Sequence, residues 1–546
     1  MKTWLAAVLL AFGALAPQTG TIRVRVAIQT EQQVRPVPRH ALLISENPTS
    51  AAPQRAVTSS DGTAEIRVRP GNYTVESDEP LLFQGKSYEW RHTVDVPPGQ
   101  TVTIDFNAAN AEVADAAASP SAPASASGLL LDWQNSVVEI WTPLRRGAGF
   151  LVDRRGVIAT NQRLIGRERS VEVQVSRSVK VAARVLAADA GANLALLWID
   201  PQVLAPARPV RLGSADAPPP APGDRIFAIN VPMEDDKNLV GGSVRRISSS
   251  GILSDIPIAD ESLGAPVFNA SGVVFAVTTA HDDGGPLNSA DSLAVRIDGI
   301  RPLLAAAEKT LTQETPPSGT RLPVEGEALF PDDPLREAAA KRKGPLGPYR
   351  ISAENFDVSV ITPLLTFAAR HQGGERAPAR GGAMESRDLA ELEARRRALQ
   401  EFGNWWDYVR RDPPVLMIRA TPKMVEPFWK TVLRGAAQSQ GMSLPPIKQI
   451  KAGFARMRLA CGGAEVTPIH PFKIEHRLGE SEAVYEGFYV YDPAAIGPQC
   501  GTVTLTLYSD KAPDKGDARP VDAKILGQIH EDFAPYRAAA KAGRIP

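Results

Sequence analysis

The sequence predicts a mostly β chain of several modules: a small N-terminal β-sandwich, a larger β-rich middle domain, and a C-terminal β-rich α+β region. Three observations carry this. At 546 residues the chain exceeds what one core supports, since domains run to roughly 100–200 residues. Apolar residues alternate in period two over much of its length, as half-buried strands require. Two stretches poor in large apolar residues, 108–127 and 311–350, divide it into parts.

Composition narrows the class. The hydrophobic share is 43% and the charged share 22%, which suit globular domains, and 47 prolines exceed the usual share of about 5%, so turns and connectors are abundant. Lys plus Arg and Asp plus Glu each number 61. With no net field, charge favours neither nucleic acid nor an anionic membrane surface. No nucleic-acid partner is expected.

Residues 1–19 read as a secretory signal: Lys2 near the start, an apolar run from Trp4 to Ala16, and the small-residue ending Ala14-Leu15-Ala16. The run is too short to span a bilayer of about 30 Å as a helix. Export is expected, to the periplasm or the outside medium. Pro17 leaves the cleavage point open, and an uncleaved segment would be the chain's only membrane contact.

Residues 20–107 form the first module. Ile22-Arg23-Val24-Arg25-Val26 and Ala64-Glu65-Ile66-Arg67-Val68 alternate between turn signals, the pattern of an antiparallel sandwich. Thr58-Ser59-Ser60-Asp61-Gly62, followed by Arg69-Pro70-Gly71-Asn72-Tyr73-Thr74-Val75, resembles the signature of carboxypeptidase-regulatory-like and transthyretin-like domains. That resemblance implies a spacer or docking module without an activity. Residues 108–127, almost wholly Ala, Ser, Pro and Asn, read as a linker.

Strand and turn signals resume after Gly128 and close with a short helix candidate near Ile300 to Ala307, giving a middle domain at 128–310. Residues 311–350 read as a connector, with Lys341-Arg342-Lys343 a solvated run. In the C-terminal region, 351–546, a strand candidate spans Phe356 to Phe367 and a helix candidate Ser386 to Glu401. Strands follow at Val415-Leu416-Met417-Ile418, Phe454 to Leu459, Tyr485 to Tyr491 and Thr502 to Leu507. Trp405-Trp406-Asp407-Tyr408 reads as core anchors, with an aromatic binding surface as the alternative.

The middle domain contains Gly147-Ala148-Gly149-Phe150-Leu151-Val152-Asp153, then Gly156 to Ile165 with Thr160-Asn161-Gln162-Arg163. Asn193-Leu194-Ala195-Leu196-Leu197, Gly241-Gly242-Ser243-Val244 and Glu261-Ser262-Leu263-Gly264-Ala265-Pro266-Val267 follow. In order and spacing these blocks resemble trypsin-like serine proteases of the HtrA type. The resemblance implies a double β-barrel, an exported protein and a serine peptidase ancestry.

The departures fall on the chemistry. The resemblance puts the general base at Arg163, whose guanidinium has no lone pair to take a proton. It puts the orienting carboxylate at Asn193, an amide that cannot stabilise an imidazolium, a change worth roughly 10⁴ in rate even with the other partners present. It puts the nucleophile at Leu263, which has no oxygen. The first glycine of the oxyanion turn falls on Glu261, whose charge opposes a developing oxyanion. Ser262 is one residue early and would need a re-formed turn to serve as nucleophile; otherwise it reads as a solvent-exposed turn serine. His281 sits in a loop after the following strand and is not placed as a base. An ion pair between Arg163 and Glu261 is expected to plug the former cleft.

Cys461 and Cys500 are expected to form a disulfide. His470 and His476 have no ligand partners at useful spacing, so no metal is expected, and nothing suggests a cofactor. HtrA-type chains commonly carry PDZ domains after the protease, but no PDZ-like Gly-rich carboxylate-binding loop follows here. The expected function is therefore a catalytically inactive homologue that binds a protein or peptide partner in the cell envelope. The alternative is an active serine endopeptidase with a non-standard site.

Overall fold

The computed structural model describes residues 19–29, 34–48, 52–59, 61–84, 86–115, 126–204, 207–213, 220–231, 237–248, 251–257, 262–279, 292–325, 332–342, 347–368, 413–425, 449–477 and 483–541. They fall into two units: Met1–Val137 with Val210–Ile258 and Pro266–Ile297, and Val138–Pro209 with Ala259–Ala265 and Asp298–Pro546.

In the first unit, strand Gly20–Gln29 turns Ile22, Val24, Val26 and Ile28 inward and Arg25 and Gln29 outward, as period-two alternation requires. It pairs antiparallel with Thr63–Val68 and Val34–Pro36, and parallel with Thr101–Phe106. The parallel pair departs from the expected wholly antiparallel sandwich, because alternation fixes which face is buried and not the direction of the neighbour. The facing sheet runs Gln54–Val57, Ala41–Asn47, Gly71–Ser77, Arg91–Val96. Both sheets share one core with Trp90 and Phe106. The Tyr73 hydroxyl donates to the Arg69 carbonyl (2.9 Å), closing the Pro70-Gly71 turn.

Part of the expected linker is structured. Glu112–Asp115 pairs with Lys86–Glu89, and helix Ala126–Trp133 puts Leu131 into the sandwich core. Trp133 of the same helix stacks on Phe268 (6.4 Å between centroids). Phe268 belongs to a closed barrel of Arg225–Asn230, Asn238–Ser248, Gly251–Ser254, Ser292–Arg296, Val274–Thr279 and Pro266–Asn269, whose interior is filled by Ile226, Val244, Ile252, Val267 and Ala276.

The second unit begins with another six-stranded barrel: Ser170–Ser176, Val137–Trp141, Arg146–Asp153, Val157–Asn161, Leu194–Trp198 and Val179–Asp189, closed by pairing of the first and last. Val138, Ile140, Leu151, Ile158, Val173, Val181 and Leu197 pack inside, each burial worth roughly 1.5–3 kcal/mol. Helix Ile300–Gln313, longer than expected, packs on Val179–Asp189 and Leu194–Trp198. Arg155 anchors it with hydrogen bonds to Glu308 of 2.8 and 3.0 Å.

The C-terminal region packs a five-stranded sheet (Tyr349–Ser352, Phe356–Ile361, Leu416–Pro422, Ala483–Tyr491, His470–Arg477) and a four-stranded sheet (Ala464–Val466, Phe454–Cys461, Val503–Ser509, Ala512–Pro520) around a common core with helices Asp332–Lys341, Ala523–Asp532 and Ala534–Lys541. Cys461 and Cys500 are disulfide-bonded. Three expectations change. The strand begun at Phe356 ends at Ile361 and the chain turns helical at 363–368, because Thr362 and Pro363 are N-cap and first-turn residues; the Thr362 carbonyl accepts from Leu365 N (3.0 Å). The expected connector holds the Asp332–Lys341 helix and a short strand, Arg321–Leu322, added to Val179–Asp189. Arg342 is not solvated: its side chain is 10% exposed and bonds Asp532 (3.2 Å) and the Tyr349 hydroxyl (2.8 Å). The helix expected at 386–401 and Trp405 to Tyr408 lie outside the described residues. Among the described residues no helix is long and apolar enough to cross a membrane.

Candidate functional site

Four segments of the second unit converge where the sequence placed the candidate residues. The first is the end of strand Val157–Asn161. Asn161 leaves the strand extended (φ −82°, ψ 132°) and N-caps the short helix Gln162–Ile165, its side chain accepting from Arg163 N at 2.9 Å. A capping asparagine satisfies one of the amide donors a helix start leaves open. Arg163 thus sits in the first turn with its side chain exposed.

The second segment is the turn before Leu194–Trp198. Asn193 adopts a left-handed conformation (φ 53°), which Asn tolerates better than most residues, and is buried. Its Oδ1 accepts from Arg163 N at 3.2 Å and its carbonyl from Gln162 N at 3.2 Å. The structure therefore brings positions 163 and 193 side by side, joined through the main chain of one and the side chain of the other.

The third and fourth segments are the start of strand Arg146–Asp153 and the turn 262–265. Ala148 N donates to the Leu263 carbonyl at 2.7 Å, and Ala265 N to the Ser262 carbonyl at 3.1 Å. A side chain at Gly147 would come within 2.6 Å of the Leu263 oxygen and collide with Leu164. Gly264, at φ +89°, packs against the Ala148 carbonyl and the Thr160 hydroxyl, which are hydrogen-bonded to each other at 2.7 Å. Leu263 is half-buried at the tip of this turn, whereas Ser262, expected to be a solvent-exposed turn serine, is 0% exposed because the turn folds back on it through Ala265 N.

This arrangement assembles positions 163, 193 and 263 on a common frame. Guanidinium, carboxamide and isobutyl side chains cannot form a base-activated hydroxyl or thiol. The Ser262 hydroxyl is enclosed by the protein. Glu261, expected to pair with Arg163, and His281 lie outside the described residues.

Sequence reasoning passed over a cluster on the same barrel. His470, read as a histidine without metal-ligand partners, is buried; it stacks on Trp141 (4.3 Å between centroids, 26° between planes) and contacts Glu325 through Nε2 at 2.6 Å. Burial holds the imidazole well below its usual pKa, and the Lys180 and Arg146 charges push it the same way. A carboxylate only accepts, so Nε2–H is the donor of the contact with Glu325. Arg146 and Lys180 are themselves fully enclosed, paired with Glu139 (3.1 Å) and Glu172 (2.8 Å). The His476 side chain lies outside the described residues. Among the described residues no group of three or more His, Cys, Asp or Glu could hold a metal.

Residues 147–277 match the family described as trypsin-like peptidase domain. Curated relatives include the chloroplastic protease Do-like 1 of Arabidopsis thaliana, 28% identical over 174 residues, which is 29% of this chain and 38% of that protein. The probable periplasmic serine endoprotease DegP-like of Ectopseudomonas mendocina is 27% identical over 141 residues, 24% of this chain and 29% of that protein. Serine protease HTRA1B of Danio rerio is 28% identical over 172 residues, 29% of this chain and 34% of that protein. The chain thus spans roughly a third of the length of these relatives. Among solved structures, the serine endoprotease from Yersinia pestis aligns with a TM-score of 0.30 and 18% identity, over 35% of this chain and 68% of that one. Residues 147–277 are thus similar to the trypsin-like peptidase domain, and the same stretch carries the similarity to HtrA- and DegP-type proteins.

Proposed function

We propose that this chain is a catalytically inert homologue of the HtrA-type serine proteases, exported to the cell envelope or beyond, which uses the retained barrel framework to bind a protein or peptide without cleaving it. One observation carries the reading. Arg163 N is bonded to Asn193 Oδ1 and Leu263 O to Ala148 N; the sequence resemblance assigns base, orienting acid and nucleophile to 163, 193 and 263, and the neighbouring Ser262 is fully buried. Without a base, an acyl-enzyme cannot form at a useful rate. Export is supported by the apolar N-terminal run and by relatives described as periplasmic.

The test is hydrolysis of unfolded casein together with labelling by a fluorophosphonate probe, on the purified chain and on Ser262→Ala. Background signal in both proteins is expected. Labelling that vanishes in Ser262→Ala would overturn the reading and make the chain an endopeptidase with a non-standard site.

A further inference from the structure

We propose that the C-terminal region governs the turn that stands in place of the nucleophile loop, acting through the hairpin Trp141–Arg146 and the strand it begins. The grip on the hairpin comes from strand His470–Arg477. His470 stacks on Trp141, and Phe472 packs against both rings (6.1 Å to Trp141, 5.4 Å to His470). Lys473 N donates to the Pro143 carbonyl at 2.7 Å, a main-chain bond from the C-terminal sheet to the hairpin turn. Lys180 Nζ reaches the Ile469 carbonyl and Glu172. The turn itself is tight: Thr142 N and Oγ1 both donate to the Arg145 carbonyl (3.0 and 2.8 Å), and Arg145 N donates back to Thr142 Oγ1 (3.0 Å). Arg146 closes the hairpin with its guanidinium 4.8 Å from the Trp141 ring centre and 3.1 Å from Glu139.

Two residues beyond Arg146, the same strand holds the turn. Ala148 N binds the Leu263 carbonyl, and the Ala148 carbonyl is the surface on which Gly264 packs. Two residues of extended strand span only about 7 Å, and the strand is fixed on both sides in a closed barrel, so a shift of the hairpin has little slack in which to dissipate. A partner that loosens or tightens the C-terminal contact is therefore felt at Leu263. Arg146 is a positioning residue in this scheme; it touches the C-terminal contact and its strand touches the turn. The inference does not depend on whether the turn is catalytic.

Hydrogen exchange on the full chain tests it, with His470→Ala and Lys180→Met. The expected result is exchange faster by about tenfold at Ala148 and residues 262–265, with strand Leu194–Trp198 of the same barrel and the Gly20–Gln29 strand unchanged. Faster exchange confined to 469–477 overturns the proposal, as does equal acceleration across the whole barrel, which would be general loosening. Should either variant fail to fold, Glu139→Gln removes only the carboxylate partner of Arg146. It is expected to raise exchange at 262–265 in the same direction, and an unchanged rate there overturns the coupling.

Discussion

Gly264→Ala probes whether the turn 262–265 is a docked structural element. At φ +89° the new side chain incurs the left-handed penalty of roughly 1–2 kcal/mol. It also collides with the Ala148 carbonyl and the Thr160 hydroxyl and comes within 3.2 Å of Asn161 N. Moving the turn to relieve this weakens Ala148 N to Leu263 O and Thr160 Oγ1 to Ala148 O, each worth about 1 kcal/mol. The sum is about 3–4 kcal/mol. Gly166→Ala is the matched control in the same unit: φ is +62° but nothing lies within 4 Å of the new methyl, so only the backbone penalty of roughly 1–2 kcal/mol applies. Urea unfolding followed by hydrogen exchange at Val157–Asn161 measures both. If Gly264→Ala costs no more than Gly166→Ala, the turn is not seated on Ala148 and the geometry drawn for the site is wrong.

Three further outcomes are expected. His40 is buried beside Trp90 and Ser77, and desolvation lowers its pKa to about 4, only partly offset by Asp78. Because the unfolded chain binds this proton more tightly, the stability of the N-terminal module is full above about pH 6.5 and declines as the pH falls toward about 4. The loss reaches about 3 kcal/mol, and unfolding midpoints of His40→Phe would lack this slope. Reducing the Cys461–Cys500 bond, which closes a sequence separation of 39, is expected to cost the C-terminal region about 4 kcal/mol by the loop-entropy relation, read as a lower melting transition under reductant. Asp532 accepts from Thr362 Oγ1 (2.7 Å), the Tyr349 hydroxyl (2.8 Å) and Arg342 (3.2 Å) while 4% exposed. Asp532→Ala leaves the half-buried Arg342 without that carboxylate and is expected to destabilise by roughly 3 kcal/mol, whereas a stability within about 1 kcal/mol of wild type would mean the cluster is solvated.

Local pattern reveals what local pattern controls. The alternation of Ile22 to Val26 and of Ala64 to Val68 was enough to assign strands and their inward faces. It was silent on the parallel pairing of Gly20–Gln29 with Thr101–Phe106, which depends on where a distant strand returns. The Asp332–Lys341 helix was hidden because a charged, Pro-flanked segment reads like a connector until Leu335 and Ala339 find a core to enter. Arg342 looked solvated because its carboxylate partner is 190 positions away. Lys180 and the Ile469 carbonyl are 289 apart, and no spacing rule joins them. At the candidate site the motif order marked positions 163, 193 and 263, and the sequence carried no sign of how completely Ser262 is enclosed.

The bonds that assemble this site explain how its chemistry and its fold can part company. Gln162 N to Asn193 O, Arg163 N to Asn193 Oδ1, Arg163 N to Asn161 Oδ1 and Ala148 N to Leu263 O use main-chain atoms of 162, 163, 148 and 263. The side chains of 163 and 263 contribute nothing to them. A substitution at either of those two positions therefore leaves the frame intact, at the modest cost of a surface or half-buried substitution. Position 193 differs, since its side chain is itself a frame acceptor: Asn and Asp both offer Oδ1 to Arg163 N, whereas a residue without that oxygen leaves Arg163 N with Asn161 Oδ1 alone and must also hold φ 53°, at roughly 1–2 kcal/mol. Asn193→Ala should accordingly lower the stability of the first barrel, and Asn193→Asp should hold it, in thermal unfolding of the full chain. If Asn193→Ala melts with the wild type, residue 193 does not hold the frame, and its identity must be explained by something it binds.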